Sequence, residues 1–195
     1  MAELHSIDKD SQSERRPLEL LHGLIYDMLL VTDGRTTELL ETMLNDKIVV
    51  QVVRQEQMDE EQADVTDISS GAPYYIRESI LIGEKSRFVV SHNIAVVQSD
   101  RVPASLFEKI AHRQEGIGKA INALGIRSFR KVADSGRIAS GDAADLFGNP
   151  IKLRLPEANG QVPYKKYFIY FGTEPGIQML EYYHPDIVRR RLRMG

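Results

Sequence analysis

The stretch YYIRESILIGEKSRFVVSHNIAVV, residues 74–97, constrains the fold most strongly. Two runs rich in β-branched and aromatic residues flank GEKS, a turn with glycine, so the segment predicts a β-hairpin and with it an antiparallel sheet. The first strand carries two adjacent charges, Arg77 and Glu78, among apolar residues. Neighbouring side chains on a strand point to opposite faces. Tyr75, Arg77, Ser79 and Leu81 therefore share one face, and Tyr74, Ile76, Glu78, Ile80 and Ile82 the other. Both faces are apolar enough to be covered, so at least one charge points at a core, and periodicity does not say which. The same question recurs in IQMLEYYHP, where Glu181 shares a face with Ile177, Met179 and Tyr183. An ionised group in such a place is costly unless an opposite charge meets it. Either Arg77 pairs with Glu181 or another carboxylate inside the domain, or the counter-charge belongs to a ligand. An arginine fork grips a carboxylate with two parallel hydrogen bonds, and a nearby glutamate suits a hydroxyl or ether oxygen on the same molecule.

The rest of the chain supplies helices in blocks. Residues 1–17 are polar and predict a flexible arm, with the folded domain spanning 18–195. LELLHGLIYDMLL has apolar groups at helical spacing and is closed by TDG; TTELLETML predicts a second, short helix. KIVVQVVRQ, Lys47 to Gln55, reads as a strand, and the acidic run Glu56 to Asp64 as a solvated connection. PASLFEKIAHRQ and IGKAINALG predict two helices, the second ended by Gly125. RSFRKVADS predicts a strand and SGDAADLFG a capped helical turn. NPIKLRLP, YKKYFIYFG and PGIQMLEYYHP are three further strand candidates between Gly and Pro. The basic VRRRLRMG predicts a frayed, solvated tail. Without regular β-α alternation, the pattern describes a single α+β domain on a mostly antiparallel sheet.

Composition removes several classes of function. Absence of cysteine excludes disulfides, thiolate metal sites and cysteine nucleophiles. A net charge of -3 gives no global sign of nucleic-acid binding. No apolar run approaches the ~20 residues needed to cross a bilayer, and the polar N-terminus lacks a signal-peptide core. A cytoplasmic protein is expected, and a monomer, since no feature demands a second subunit. EGIGKA lacks the full spacing of a phosphate loop. The five histidines show no metal-ligand spacing, so neither a metal nor another cofactor is expected. No G-x-S-x-G elbow is present. His92, inside an apolar strand, is either a satisfied structural histidine or a ligand contact.

The order of these features resembles the chorismate pyruvate-lyase family. YYIRESILIGEKSRFVVSHNIAVV is similar to that family's central hairpin, with aromatic, apolar, Arg and Glu positions before a short turn. EGIGKAI resembles its loop before a small helix, IQMLEYYHP its terminal strand, and TDGRTTELLE its early link between two helices. The likeness runs from about Leu18 to Pro185. It implies an antiparallel sheet with helices on one side and helical flaps over an enclosed ligand site, a fold similar also to the effector-sensing domains of some bacterial transcription regulators. By this resemblance Arg77 would bind the ring carboxylate of chorismate and Glu181 would face its hydroxyl. Backbone groups at Ile117 and Gly118 would meet a ligand carboxylate. Arg35 stands on a flap where the family pattern has methionine, and His92 where relatives carry varied polar residues.

The implied reaction eliminates pyruvate from chorismate to give 4-hydroxybenzoate, a precursor for quinones or other aromatic metabolites. Aromatisation drives it, so no metal, nucleotide or covalent nucleophile is demanded. The other expectations are a domain of the same fold that binds a small acid without turnover, and an enzyme making a different aromatic acid from chorismate.

Overall fold

A computed structural model describes residues 7–34, 36–58, 74–112 and 115–194 of the chain. The β-branched runs form six strands: β1 (Ile48–Met58), β2 (Tyr74–Gly83), β3 (Val89–Gln98), β4 (Phe129–Ala139), β5 (Gln161–Tyr170) and β6 (Pro175–Tyr183). They pair antiparallel throughout in the order β1-β2-β3-β6-β5-β4. Helices α1 (Ile7–Val31), α2 (Thr36–Leu44), α3 (Ala104–Ala111), α4 (Ile117–Ala123) and α5 (Ile187–Met194) complete the domain. The expected α+β class and single antiparallel sheet are therefore present.

One face of the sheet carries two separate apolar clusters. Tyr26, Leu29 and Leu30 of α1 and Leu40 and Leu44 of α2 pack with Leu81, Tyr183 and Ile187 at one end. Leu106 and Ile110 of α3 and Ile117 and Ile121 of α4 pack on Val97, Ile169 and Ile177 at the other. Each helix pair thus covers its own half of the face. The opposite face is covered by the long β4–β5 connection, whose Ala143, Leu146, Ile151 and Leu155 lie against Ile94, Leu180 and Tyr182. Tyr182 fastens that connection: its hydroxyl donates to Ala144 O (2.7 Å) and accepts from Ala144 N (3.2 Å).

Several elements differ from the sequence reading for identifiable reasons. The backbone of α1 begins at Ile7, not Leu18, with Pro17 inside the helix. NPIKLRLP is not a strand; apart from an isolated bridge between Ala144 and Pro150 it is irregular. Its period-two pattern arises because an extended chain lies across the sheet and buries Leu155 while Lys152 and Arg154 stay outside. The expected turn in SGDAADLFG shrinks to a 3-10 turn at Ser140–Asp142. The C-terminal tail is helical because Ile187 is buried in the α1–α2 cluster and its N–H donates to the Tyr26 hydroxyl (3.1 Å). β1 extends to Met58, so the acidic run starts inside a strand; residues 59–64 of that run lie outside the described residues.

Gly83 closes the β2–β3 hairpin where a side chain would displace its neighbours. A Cβ there would lie 2.3 Å from Ser86 Oγ and 2.6 Å from Asp46 Oδ2. Asp46 needs that space, since its carboxylate accepts the N–H groups of Lys85 (3.2 Å) and Ser86 (2.9 Å) in the turn. Among the described residues no helix is long and apolar enough to cross a membrane. The outer side of α1 leaves Leu20, Leu24, Met28 and Val31 exposed.

Candidate functional site

The two charges of β2 part company as the alternation requires. Arg77 turns to the helix-covered face and is 2% exposed, while Glu78 turns to the face beneath the β4–β5 connection. Arg77 donates from Nη1 to Gln55 Oε1 (3.2 Å) and to Ile110 O (3.2 Å), and from Nη2 to Glu115 O. Gln55, its register partner on β1, also donates to Ile110 O (3.1 Å) and Ala111 O (3.4 Å). Those carbonyls end α3, where a helix leaves acceptors unsatisfied and carries partial negative charge. The buried guanidinium thus caps a helix C-terminus and holds the α3–α4 connection to the sheet.

Lys165 repeats this device at the other helix pair. It is 1% exposed, and its Nζ donates to Leu29 O (3.3 Å) and Thr32 O (3.0 Å) at the end of α1 and to Thr36 Oγ1 (3.4 Å) at the start of α2. Burial lowers its pKa, against the opposing pull of Glu181. The sequence reading passed over this lysine because KK puts one lysine on each face of β5 and does not mark which is covered.

Glu181 lies on the same face as Arg77 but two strands away, roughly 12 Å between Cα atoms from strand spacing and rise. Its Oε1 accepts from the Tyr167 hydroxyl (3.1 Å) and its Oε2 from the Tyr183 hydroxyl. Burial, with the adjacent Glu181 charge, raises both phenol pKa values well above 10.0. A direct internal pairing of Arg77 with Glu181 is thus not what satisfies either group.

Ser79, Asn93, Glu181 and Lys165 are successive register partners across β2, β3, β6 and β5. They form a buried polar row between the two apolar clusters. Within it Asn93 Oδ1 has no hydrogen-bond partner among the described residues, and neither has Ser91 Oγ two residues along the same strand and face. Buried acceptors without partners are uncommon in native proteins.

Arg130 of β4 faces the same side, beyond Tyr167 and Ile169. Its guanidinium stands between the helix pairs: Nη1 lies 3.7 Å from the Cβ position of Gly34, after α1, and Nη2 lies 3.8 Å from that of Gly118, in α4. Half-buried, it makes no hydrogen bond or ion pair with another described residue, while its charge acts on Lys165 and Tyr167. The loop that the resemblance implies at Ile117–Gly118 is instead the first turn of α4; Gly118 borders this cation, while Ile117 is buried in the α3–α4 cluster. Arg35 lies outside the described residues. Arg130 was missed because RSFRK offers three similar cations and the alternation of an edge strand does not single one out.

His92 joins neither group. It lies on the opposite face, where its Nε2 is 3.0 Å from Glu78 Oε1 and its Nδ1 accepts from Arg154 N (3.3 Å). The Nδ1 acceptor role fixes the neutral tautomer with the proton on Nε2, which donates to Glu78. Burial lowers the His92 pKa, although Glu78 pulls it upward. Burial opposes ionisation of Glu78, but the hydrogen bonds of Arg154 and His92 and the Arg154 charge outweigh it and hold its pKa low. Cavities of about 430 and 570 Å3 border the β4–β5 connection on that opposite side, and neither is lined by Arg77 or Glu181. Among the described residues no group of three His, Asp or Glu is placed to hold a metal ion.

No family model matches the chain, and no curated protein matches it. Among solved structures it is similar to PhnF from Mycobacterium smegmatis, with 20% identity, 80% of this chain and 66% of that chain covered, and a TM-score of 0.49. The effector domain of the same protein gives 21% identity, 78% and 90% coverage, and a TM-score of 0.49. The C-terminal domain of the histidine utilization repressor from Pseudomonas syringae pv. tomato gives 12%, 71% and 92%, and 0.43.

Proposed function

We propose that the chain is a binding domain for a small hydroxylated organic acid, which it holds between the sheet and its two helix pairs without turning it over. The observation that carries this reading is the Arg130 guanidinium, which stands between Gly34 and Gly118 without a hydrogen bond or ion pair to another described residue. Lys165 is offset by its register neighbour Glu181, so an anion entering between the helix pairs gains chiefly from Arg130. Ser91 Oγ and Asn93 Oδ1 then offer acceptors for a ligand hydroxyl. In this reading the carboxylate contact that resemblance assigns to Arg77 passes to Arg130. Arg77 instead ties the α3–α4 connection to the sheet, through Gln55 and the carbonyls of Ile110 and Glu115.

Glu181 supports the absence of turnover. Each of its oxygens accepts a hydrogen bond from a tyrosine hydroxyl and a buried lysine is its register neighbour, so both oxygens are already engaged by the protein. The second reading is chorismate pyruvate-lyase activity, favoured by one feature: Arg77 and Glu181 are both buried on the helix-covered face, as the resemblance implies.

One assay separates the two. Protein is mixed with fresh chorismate, 4-hydroxybenzoate is followed by chromatography and pyruvate by a coupled enzyme, and a protein-free blank corrects for spontaneous decay. The binding reading expects neither product above the blank, together with saturable heat on titrating 4-hydroxybenzoate. Equal amounts of both products establish the lyase instead, and absence of both product and binding removes either reading.

A further inference from the structure

The β4–β5 connection and strands β1, β2 and β3 line a partly open cavity of about 430 Å3 on the face of the sheet away from Arg130 and Glu181. That volume is within the usual range for a small-molecule pocket. Ile76 and Ile94 supply its floor, and Phe147 and Ile151 stand in its wall. Phe147 is held there by a structured turn: Asp145 Oδ1 accepts from Phe147 N (2.8 Å) and Asn149 N (2.9 Å), and Oδ2 accepts from Asn149 Nδ2 (3.1 Å). The carboxylate of Asp145 is therefore spent on the turn.

The other charges of the pocket sort themselves similarly. Arg54 is tied to Glu56 through Nε (2.7 Å) and Nη2. Arg154 donates from Nε to Glu78 Oε1 (2.5 Å), and Glu78 is itself steadied by His92. That bond fixes the guanidinium plane and leaves its two terminal nitrogens without a partner among the described residues. Lys152 lines the same cavity and makes no hydrogen bond or ion pair there. An apolar patch of Ile76, Ile94, Phe147 and Ile151 in an otherwise polar cavity thus adjoins one guanidinium and one ammonium, both able to take a ligand anion.

We infer that this cavity is a second ligand site, on the opposite side of the sheet, for a small aromatic monocarboxylate. The ring lies between the isoleucine floor and Phe147, and the carboxylate meets Arg154 and Lys152. Glu78 and His92 act as positioning residues for Arg154, since both ring nitrogens of His92 are already engaged. The site is independent of the proposed function: its groups and those around Arg130 share no residue.

The test uses the full chain with labelled isoleucine methyl groups, observed by NMR during titration with sodium benzoate, benzyl alcohol or inorganic phosphate. Benzoate is expected to shift the methyls of Ile76, Ile94 and Ile151 saturably. Lys152→Gln and Arg154→Gln are each expected to weaken that binding about tenfold, the loss typical of one charge-assisted contact. Phe147→Ala, which keeps both cations, is also expected to weaken it. Unchanged methyl signals of Ile110, Ile117 and Ile121 on the other face report that each variant is folded. The inference is overturned if benzoate leaves the three cavity methyls unmoved, or if Lys152→Gln and Arg154→Gln bind it as well as the parent. It is equally overturned if benzyl alcohol or phosphate matches benzoate. Because the helix-face methyls are read in the same spectra, failure here is distinct from failure of binding near Arg130.

Discussion

Lys165 and Glu181 are register partners on β5 and β6, both buried, yet each spends its hydrogen bonds on other groups. The ammonium goes to carbonyls at the end of α1, and the carboxylate goes to two tyrosine hydroxyls. The pair therefore clamps the first helix pair to the sheet while its charges offset each other. Lys165→Met strips the helix end of its donor and leaves Glu181 without its neighbouring cation. Unfolding in urea is expected to show a loss of about 3 kcal/mol, the range for breaking a buried charge network. A loss below about 1 kcal/mol is inconsistent with this clamp.

Asn93 predicts the opposite behaviour. Its Oδ1 is buried without a partner among the described residues, a cost in the ligand-free protein. Asn93→Leu is expected to leave stability unchanged or raise it by about 1 kcal/mol, while weakening binding of 4-hydroxybenzoate about tenfold. Urea denaturation and calorimetry on the same variant check both halves.

Acid sensitivity is expected from the opposite face. His92 titrates below its ordinary 6.5 when folded, first because it is buried. As pH falls below about 6.5 the unfolded chain takes up a proton that the folded chain does not, so stability drops. Glu78, held below its ordinary 4.5, adds a second loss as pH falls through that value. Denaturation at pH 7.5 and 5.5 is expected to show a decrease in the parent protein and a smaller one in His92→Gln.

Gly83→Ala tests the hairpin. The added methyl would enter the space shared by Ser86 Oγ and Asp46 Oδ2, within 2.6 Å of both. Asp46 would have to leave the turn amides it accepts, at a cost of about 1–3 kcal/mol for buried groups left unsatisfied. Thermal unfolding checks the loss.

The hairpin and the antiparallel sheet were legible because alternation and turn chemistry agree in residues 74–97. What alternation could not supply was the assignment of sides, since helices cover one face and the β4–β5 connection the other. Arg77 and Glu78 could each have been the inner charge, and in the event each is turned to a covered face. The sequence reading sought a carboxylate or ligand for Arg77 and did not consider a helix C-terminus, because a carbonyl acceptor is present at every residue and leaves no mark in composition. Lys165 and Arg130 were hidden for a related reason: each stands beside another lysine or arginine of opposite orientation. The strand expected in NPIKLRLP failed because period two reports an extended chain over an apolar surface, whether or not it joins a ladder.

The most direct test of the account is calorimetric titration of 4-hydroxybenzoate into the parent protein and into Arg130→Gln. Saturable binding by the parent, weakened about tenfold or more in the variant at unchanged stability, is the result expected from a carboxylate held at Arg130. Equal affinity in both proteins, or none in the parent, contradicts it.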